Sequence, residues 1–222
     1  MRRGQVAMAG DPPAAVIPAT GQQAQSQAGP EPVASSPLDA LSWPVRTARL
    51  HLRAAVADDA EAVWGFWQLE AVTRWVTRAP ATFEEHRAVF VSPARLATTL
   101  IVELEGAVIG DLMINVEDAW AQAEVAEQAQ GVQAELGWFL HPDHTGRGYA
   151  TEAVRELIRI CFTDLALRRV TANCFAENEA SWRLMERVGM RRELYTVRDS
   201  LHRSRGWLDG MGYALLADEW QP

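Results

Sequence analysis

The sequence predicts an α+β (α/β) fold, a mixed sheet with helices on its faces, and three observations predict it. Strand and helix patterns succeed one another as β-α-α-β-β-β-α-β-α-β-β from residue 49 onward. Two apolar segments meet at Glu105-Gly106, as in a hairpin. An apolar run ending at Leu140 passes through a glycine-bearing turn straight into an amphipathic helix. With 222 residues, 48% of them hydrophobic, the chain is long enough for one domain with a real core.

The elements follow in order. Arg49-Leu50-His51-Leu52-Arg53 alternates as a strand does. Ala57-Asp58-Asp59-Ala60 opens a helix, its aspartates suited to the positive helix end, with Ala62, Val63, Phe66 and Leu69 on one face. Residues 83–90 form a shorter helix, and residues 98–105 and 108–116 are strands. Residues 117–134 are rich in Ala, Gln and Glu, without a strand pattern; they read as a short helix or a mobile excursion before the fourth strand, 135–140. The long helix covers 149–162, with Ala150, Val154, Leu157, Ile158 and Cys161 on one face. The fifth strand is 169–175. Asn178 caps the next helix, which ends with Gly189 at C′. Residues 192–198 and 207–216 close the fold as a hairpin.

Residues 1–46 differ from the rest. They hold seven of the eleven prolines, a Gln/Ala/Ser/Gly-rich run, and no net charge. Such a segment buries too little apolar surface to offset its ordering entropy. It reads as a disordered tail, or as an over-long start, leaving a domain at 47–222.

Composition excludes several functions. A formal net charge of −8 lacks the basic face of a nucleic-acid binder; it is compatible with a cationic acceptor such as an amine. All 21 basic residues are Arg, so a lysine Schiff base or lysine nucleophile is excluded. Cys161 and Cys174 are too few for a disulfide scaffold and read as buried thiols. No apolar run reaches the roughly 18–20 residues of a membrane span, and Gly10-Asp11-Pro12-Pro13 interrupts the basic start before a signal core can form. The expected location is cytoplasmic, without membrane partners. Oligomeric state stays open, a homodimer included.

The turn carries the functional signal. His141-Pro142-Asp143 ends the fourth strand, and Gly146 and Gly148 bracket Arg147 before the helix begins. This aims backbone N–H groups and the positive end of a helix dipole at one spot, which suits phosphate. The glycines let a phosphate approach the backbone. An ordinary strand-to-helix turn is the plainer reading of the glycines alone. A Rossmann fingerprint would need Gly or Ala at position 151, where Thr stands.

The order and spacing of five segments resemble the GNAT superfamily of acyl-CoA-dependent N-acyltransferases, and most of all its ribosomal-protein N-terminal acetyltransferase (Rim-type) branch. They are Thr47-Ala-Arg49-Leu50-His-Leu52-Arg53; Glu135-Leu-Gly137-Trp138; Gly146-Arg-Gly148-Tyr149-Ala150-Thr151-Glu152-Ala153; Asn178-Glu-Ala180-Ser181 leading to Val188-Gly189-Met190; and Trp207-Leu-Asp209 with Glu219-Trp220. The family loop begins with Gln or Arg where this chain has Thr145, and its later Gly-Phe is Gly189-Met190 here.

The resemblance implies a GNAT-like, mostly antiparallel seven-stranded sheet flanked by helices, with its fourth and fifth strands splayed. It implies acetyl-CoA as donor, an amine as acceptor, and direct transfer in a ternary complex, with no metal. Pantetheine amides would pair with Trp138, Phe139 and Leu140. The diphosphate would lie against Thr145, Gly146, Arg147, Gly148, Tyr149, Ala150 and Thr151, with Arg147 able to add charge.

A protonated amine cannot attack a thioester. An α-amine, with a pKa near 7.7–8.0, is easier to deprotonate than lysine by about 3 kcal/mol. Glu135 is the candidate base, directly or through water; otherwise it is a solvent-facing strand residue. Ser181 is the candidate proton donor to the leaving thiolate, with Asn178 as a pantetheine contact; otherwise the two are a cap and its N3 partner. Tyr149 is a weaker candidate acid. His141 and His144 read as polar loop residues, without the third ligand a metal site needs. Trp64, Trp67 and Trp75 line the acceptor side or pack the core. Glu84, Glu85 and Asp118 draw in a cation or simply form a solvated surface. Three readings stand: an acetyltransferase for protein N-terminal α-amines, one for small-molecule amines, and a non-catalytic acyl-CoA sensor. Succinyl-CoA or a longer acyl-CoA remains open as donor.

Overall fold

The computed structural model describes residues 36–221. An eight-stranded sheet runs in the order β1-β2-β3-β4-β5-β6-β8-β7, built from β1 (Val45–Arg46), β2 (His51–Ala54), β3 (Thr99–Leu104), β4 (Ala107–Glu117), β5 (Gln133–Leu140), β6 (Arg169–Phe175), β7 (Arg191–His202) and β8 (Gly206–Leu216). Every neighbouring pair is antiparallel except β5 and β6. The expected seven strands become eight because β1 is only two residues long, too short to show a period.

β1 also corrects the boundary of the tail. Residues 36–46 belong to the fold: Ser36 caps a short 3-10 turn at Pro37–Ala40, its hydroxyl donates to the Ala97 carbonyl at 2.7 Å, and Leu38 is buried. Leu41, Trp43 and Val45 pack against the same core and anchor the segment with Leu38. The rest of the expected tail, 1–35, lies outside the described residues.

Alternation along β3 separates two cores. Leu100 and Val102 face the larger one, with Val154, Leu157 and Ile158 of α5 (Tyr149–Arg159) and Leu184 and Met185 of α6 (Glu179–Arg187). Ile101 faces the smaller one, with Val63 and Phe66 of α1 (Ala60–Trp67) and Phe90 of α3 (Phe83–Phe90). Ala62, expected on the buried face of α1, is exposed. Two short helices, α2 (Glu70–Thr73) and α4 (Pro93–Leu96), complete the α1 side. The long helix widens at its end, where Leu165 N–H reaches the Ile160 carbonyl at 3.0 Å.

Of the two readings of residues 117–134, a short helix or a mobile excursion, the structure shows the first, as a 3-10 helix over Ala123–Ala129 within a closed loop. β4 runs to Glu117, an exposed 3-10 turn spans Ala123–Ala129, and Asp118 closes the loop by accepting from Gly131 N–H at 2.8 Å. β7 and β8 are longer than their alternation suggests. A register shift between Thr196 and Ser200 disguises β7, and Asp209 holds this bulge through Arg198 N–H at 2.9 Å.

Candidate active site

β5 and β6 pair over only three rungs: Gln133 with Arg169, Ala134 with Val170, and Glu135 with Thr171. Beyond Glu135 both strands continue without each other, so the sheet forks. β4 still holds the far edge of β5, from Leu136 to Leu140, and β8 holds β6 out to Phe175. The gap opens a cleft of about 1720 Å³. Its walls are Leu136 to Leu140 on one side and Asn173 and Cys174 on the other.

At one end of the cleft lies the glycine loop. Gly146 and Gly148 have φ of +73° and +83°, a region that costs other residues strain. Among the described residues, neither N–H donates to a backbone carbonyl. Gly148 is the N-cap of α5, whose first-turn N–H groups have no partner within the helix. The result is a cradle of donors at a positive helix end, which suits a diphosphate.

Of the residues expected to hold the donor, Trp138, Phe139, Leu140, Thr145, Gly146, Gly148, Tyr149, Ala150, Thr151, Asn178 and Ser181 all line this cleft. Arg147 does not line it. Its side chain is exposed, and its carbonyl accepts from Arg49 Nη1 at 3.0 Å. Its expected charge contact therefore has no support from the lining.

Asn178 caps α6 by accepting from Ser181 N–H at 3.4 Å. Both side chains also line the cleft beside Cys174, so the capping and cleft-facing readings coexist. Burial pushes the Cys174 thiol up to about 11, against an opposing hydrogen bond from Ser181. Cys161 is buried, and its thiol is pushed up to about 12 by that burial.

Glu135 stands at the fork but not on the cleft wall. Its Oε1 accepts from Asn173 Nδ2 at 2.9 Å, and Asn173 is the wall residue. Burial of Glu117, together with the nearby Glu135 charge, raises the Glu117 carboxyl above its ordinary value.

The three tryptophans separate. Trp64 packs on Phe83 and His86, and Trp67 on Phe139 at 4.7 Å, both around the smaller core. Of the three only Trp75 lines the cleft, its ring clustered with Phe175 at 5.8 Å and His202 at 5.3 Å, which also meet each other at 5.4 Å. Here the hairpin tip ties down the loop after α2: His202 Nε2 bonds the Arg74 carbonyl at 2.8 Å, and Arg203 donates to the Val76 carbonyl. Glu84, Glu85 and Asp118 do not line the cleft; Glu85 accepts from Ala81 N–H at 2.9 Å. His144 lines it, and His141 accepts from Asp143 N–H at 3.2 Å.

Sequence reading missed two residues. Arg49, noted only as part of the first strand and of its family segment and given no role, reaches the glycine loop. Asp111, fully buried on β4, accepts from Trp67 Nε1 at 2.8 Å and pairs with Arg95 at 3.3 Å. A lone charge within an apolar strand was its available signal.

One cleft lined by both an anion cradle and a fork in the sheet suits the diphosphate and pantetheine arm of an acyl-CoA, the donor of acyl-CoA-dependent transferases. The chain belongs to the GNAT acetyltransferase family: the family described as "Acetyltransferase (GNAT) domain" matches residues 49–191. The chain is 36% identical over 86 residues to YnaD of Bacillus subtilis, an uncharacterized N-acetyltransferase; the match covers 39% of this chain and half the length of YnaD. It is 32% identical over 162 residues to p20 of Bacillus licheniformis, likewise an uncharacterized N-acetyltransferase, covering 66% of this chain and 82% of that one. A stretch of 89 residues is 35% identical to YdaF of Bacillus subtilis, provisionally named a ribosomal N-acetyltransferase, covering 40% of this chain and 48% of that one. Among solved structures, a GNAT-family acetyltransferase from Bacillus anthracis superposes with a TM-score of 0.67 at 29% identity, over 79% of this chain and 99% of that one. RimJ of Mycobacterium smegmatis, solved with CoA-disulfide, gives 0.62 at 23% identity, over 77% and 83%, a likeness of fold. No helix among the described residues is long and apolar enough to cross a membrane.

Proposed function

We propose that the protein transfers an acetyl group from acetyl-CoA to the α-amine of a protein N-terminus, by direct attack within a ternary complex. The supporting observation is the shortage of strong bases at the fork. Among the described residues the lining there offers Asn173, Cys174, Asn178 and Ser181, with the Cys174 thiol pushed up to about 11, and one hydrogen bond behind Asn173 stands the Glu135 carboxylate, near that of Glu117. A carboxylate acting through water suits an amine with a pKa near 8 better than a lysine side chain near 10.4. The partial match to YdaF points the same way.

In this reading the diphosphate lies against the N–H groups of the glycine loop and α5. Pantetheine runs along Trp138 to Leu140, and the thioester reaches the fork. Glu135 takes the ammonium proton through water, and the free amine attacks the thioester carbonyl. The C–S bond breaks as Ser181 Oγ–H gives a proton to the departing thiolate, the second proton leaves the attacking nitrogen through water to restore the Ser181 hydroxyl, and the products are the neutral amide and the CoA thiol.

The test is CoA release from acetyl-CoA across N-terminal peptides, lysine peptides, polyamines and aminoglycosides. Turnover led by α-amino peptides supports the reading. Turnover confined to small amines moves the acceptor to a metabolite or drug, and silence with CoA still bound favours a sensor or another acyl donor.

A further inference from the structure

Glu152 poses an electrostatic problem. It sits in the first turn of α5, where a carboxylate favours the empty helix end but repels a diphosphate in the same cradle. The start of the domain reaches over to it. Thr47 Oγ1 donates to Oε1 at 2.5 Å, Arg49 N–H donates to Oε1 at 2.8 Å, and Arg49 Nε donates to Oε2 at 2.7 Å. Burial raises the Glu152 carboxyl, but the hydrogen bonds from Thr47 and Arg49 outweigh it and hold the group below its ordinary value. It stays ionised, and it stays paired.

The same guanidinium also reaches the loop. Arg49 Nη1 donates to the Arg147 carbonyl at 3.0 Å, and the group lies 4.4 Å from the centre of the Tyr149 ring. A trans peptide is planar, with its carbonyl and N–H on opposite sides. Pinning the Arg147 carbonyl to Arg49 therefore fixes the direction of Gly148 N–H. The approach is close: a Cβ on Gly148 would stand 3.4 Å from Arg49 Nη2.

We propose that Arg49 is a positioning residue for the diphosphate of CoA, cancelling the Glu152 charge and turning Gly148 N–H toward the phosphates. This rests on the acetyl-CoA reading of the loop. Arg49 itself need not touch the ligand.

The experiment is calorimetric titration of CoA and of pantetheine, which lacks the diphosphate, into wild type, R49A, R49K and R49A/E152Q. R49A should bind CoA about tenfold more weakly, with pantetheine affinity unchanged. R49K keeps the charge without the fork of donors and should fall between R49A and wild type. R49A/E152Q should regain most of the loss, because the unpaired carboxylate is gone. Should R49A fail to fold, R49K against wild type carries the test, with a diphosphate-specific loss expected. Unchanged CoA affinity in R49A and R49K, an equal loss for pantetheine, or no recovery in the double variant overturns the role of Arg49 while leaving the loop assignment intact. A wild type that binds pantetheine as tightly as CoA overturns the loop assignment, and this role with it.

Discussion

Asn173 Nδ2 donates to Glu135 Oε1 at 2.9 Å, across β5 and β6 beside their last paired rung. The carboxylate is thus held at the point where the sheet forks, with an amide between it and the cleft. If Glu135 relays the acceptor's proton, E135Q should keep this hydrogen bond and lose only the basicity. Its kcat at neutral pH should drop about a hundredfold, with the KM for acetyl-CoA unchanged. The deficit should shrink as pH rises past the acceptor's own pKa. Wild-type rates in E135Q remove Glu135 from the chemistry.

Ser181 separates capping from catalysis. Its N–H serves the Asn178 cap, whereas its hydroxyl faces the cleft and the Cys174 thiol. S181A spares the N–H, so the thermal midpoint should hold. Loss of the donor to the leaving thiolate should lower kcat by roughly ten- to a hundredfold, more than it raises the donor KM. A fall in midpoint with kcat intact would assign Ser181 to structure alone.

Much of the fold was legible because its signals are local. The apolar run ending at Leu140, the Gly146-Arg147-Gly148 turn and the Asn178 cap each lie within a few residues. What escaped depends on partners far along the chain. The pairing of β5 with β6 skips α5, so the number of rungs before the fork cannot be counted from either strand. β1 consists of two residues after a proline. The β7 bulge breaks a period that only β8 restores. Arg49 and Glu152 are 103 positions apart, and nothing local marks them as partners. For Trp64 and Trp67 type and spacing left acceptor wall and core packing equally open, and the structure has Trp64 against Phe83 and His86 and Trp67 against Phe139.

Asp111 should leave a signature in stability. Burial pushes its carboxyl up to about 6, against the pull of the Arg95 guanidinium and the Trp67 N–H. The folded value lies above the ordinary one, so the native state holds this proton more tightly than the unfolded chain does. The resulting stabilisation is full at acid pH below the ordinary carboxylate value and is lost as pH rises through about 6. D111N has no such loss. Compared with wild type, its unfolding free energy in urea should improve by roughly 3 kcal/mol on going from pH 4 to pH 7. The same gap at both pH values would show that Asp111 does not titrate in this window.

Trp75 gives the most direct access to the acceptor side. Trp75 lines the cleft, its ring packs with Phe175 and His202 in a three-ring cluster, and it is flanked by the Arg74 and Arg205 guanidinium groups at 5.2 and 5.6 Å. The loop that carries it is fastened to the hairpin tip rather than to the glycine loop, so if Trp75 meets the acceptor, its loss should leave the donor end intact. W75A should therefore raise the acceptor KM about tenfold while leaving the acetyl-CoA KM within about twofold of wild type. W75F keeps an aromatic ring against Phe175 and His202 and should recover most of the loss. Initial rates with each substrate varied in turn decide the matter. Equal rises in both KM values would mean that the truncation disturbs the whole cleft, and no rise in either would place the acceptor elsewhere on the sheet.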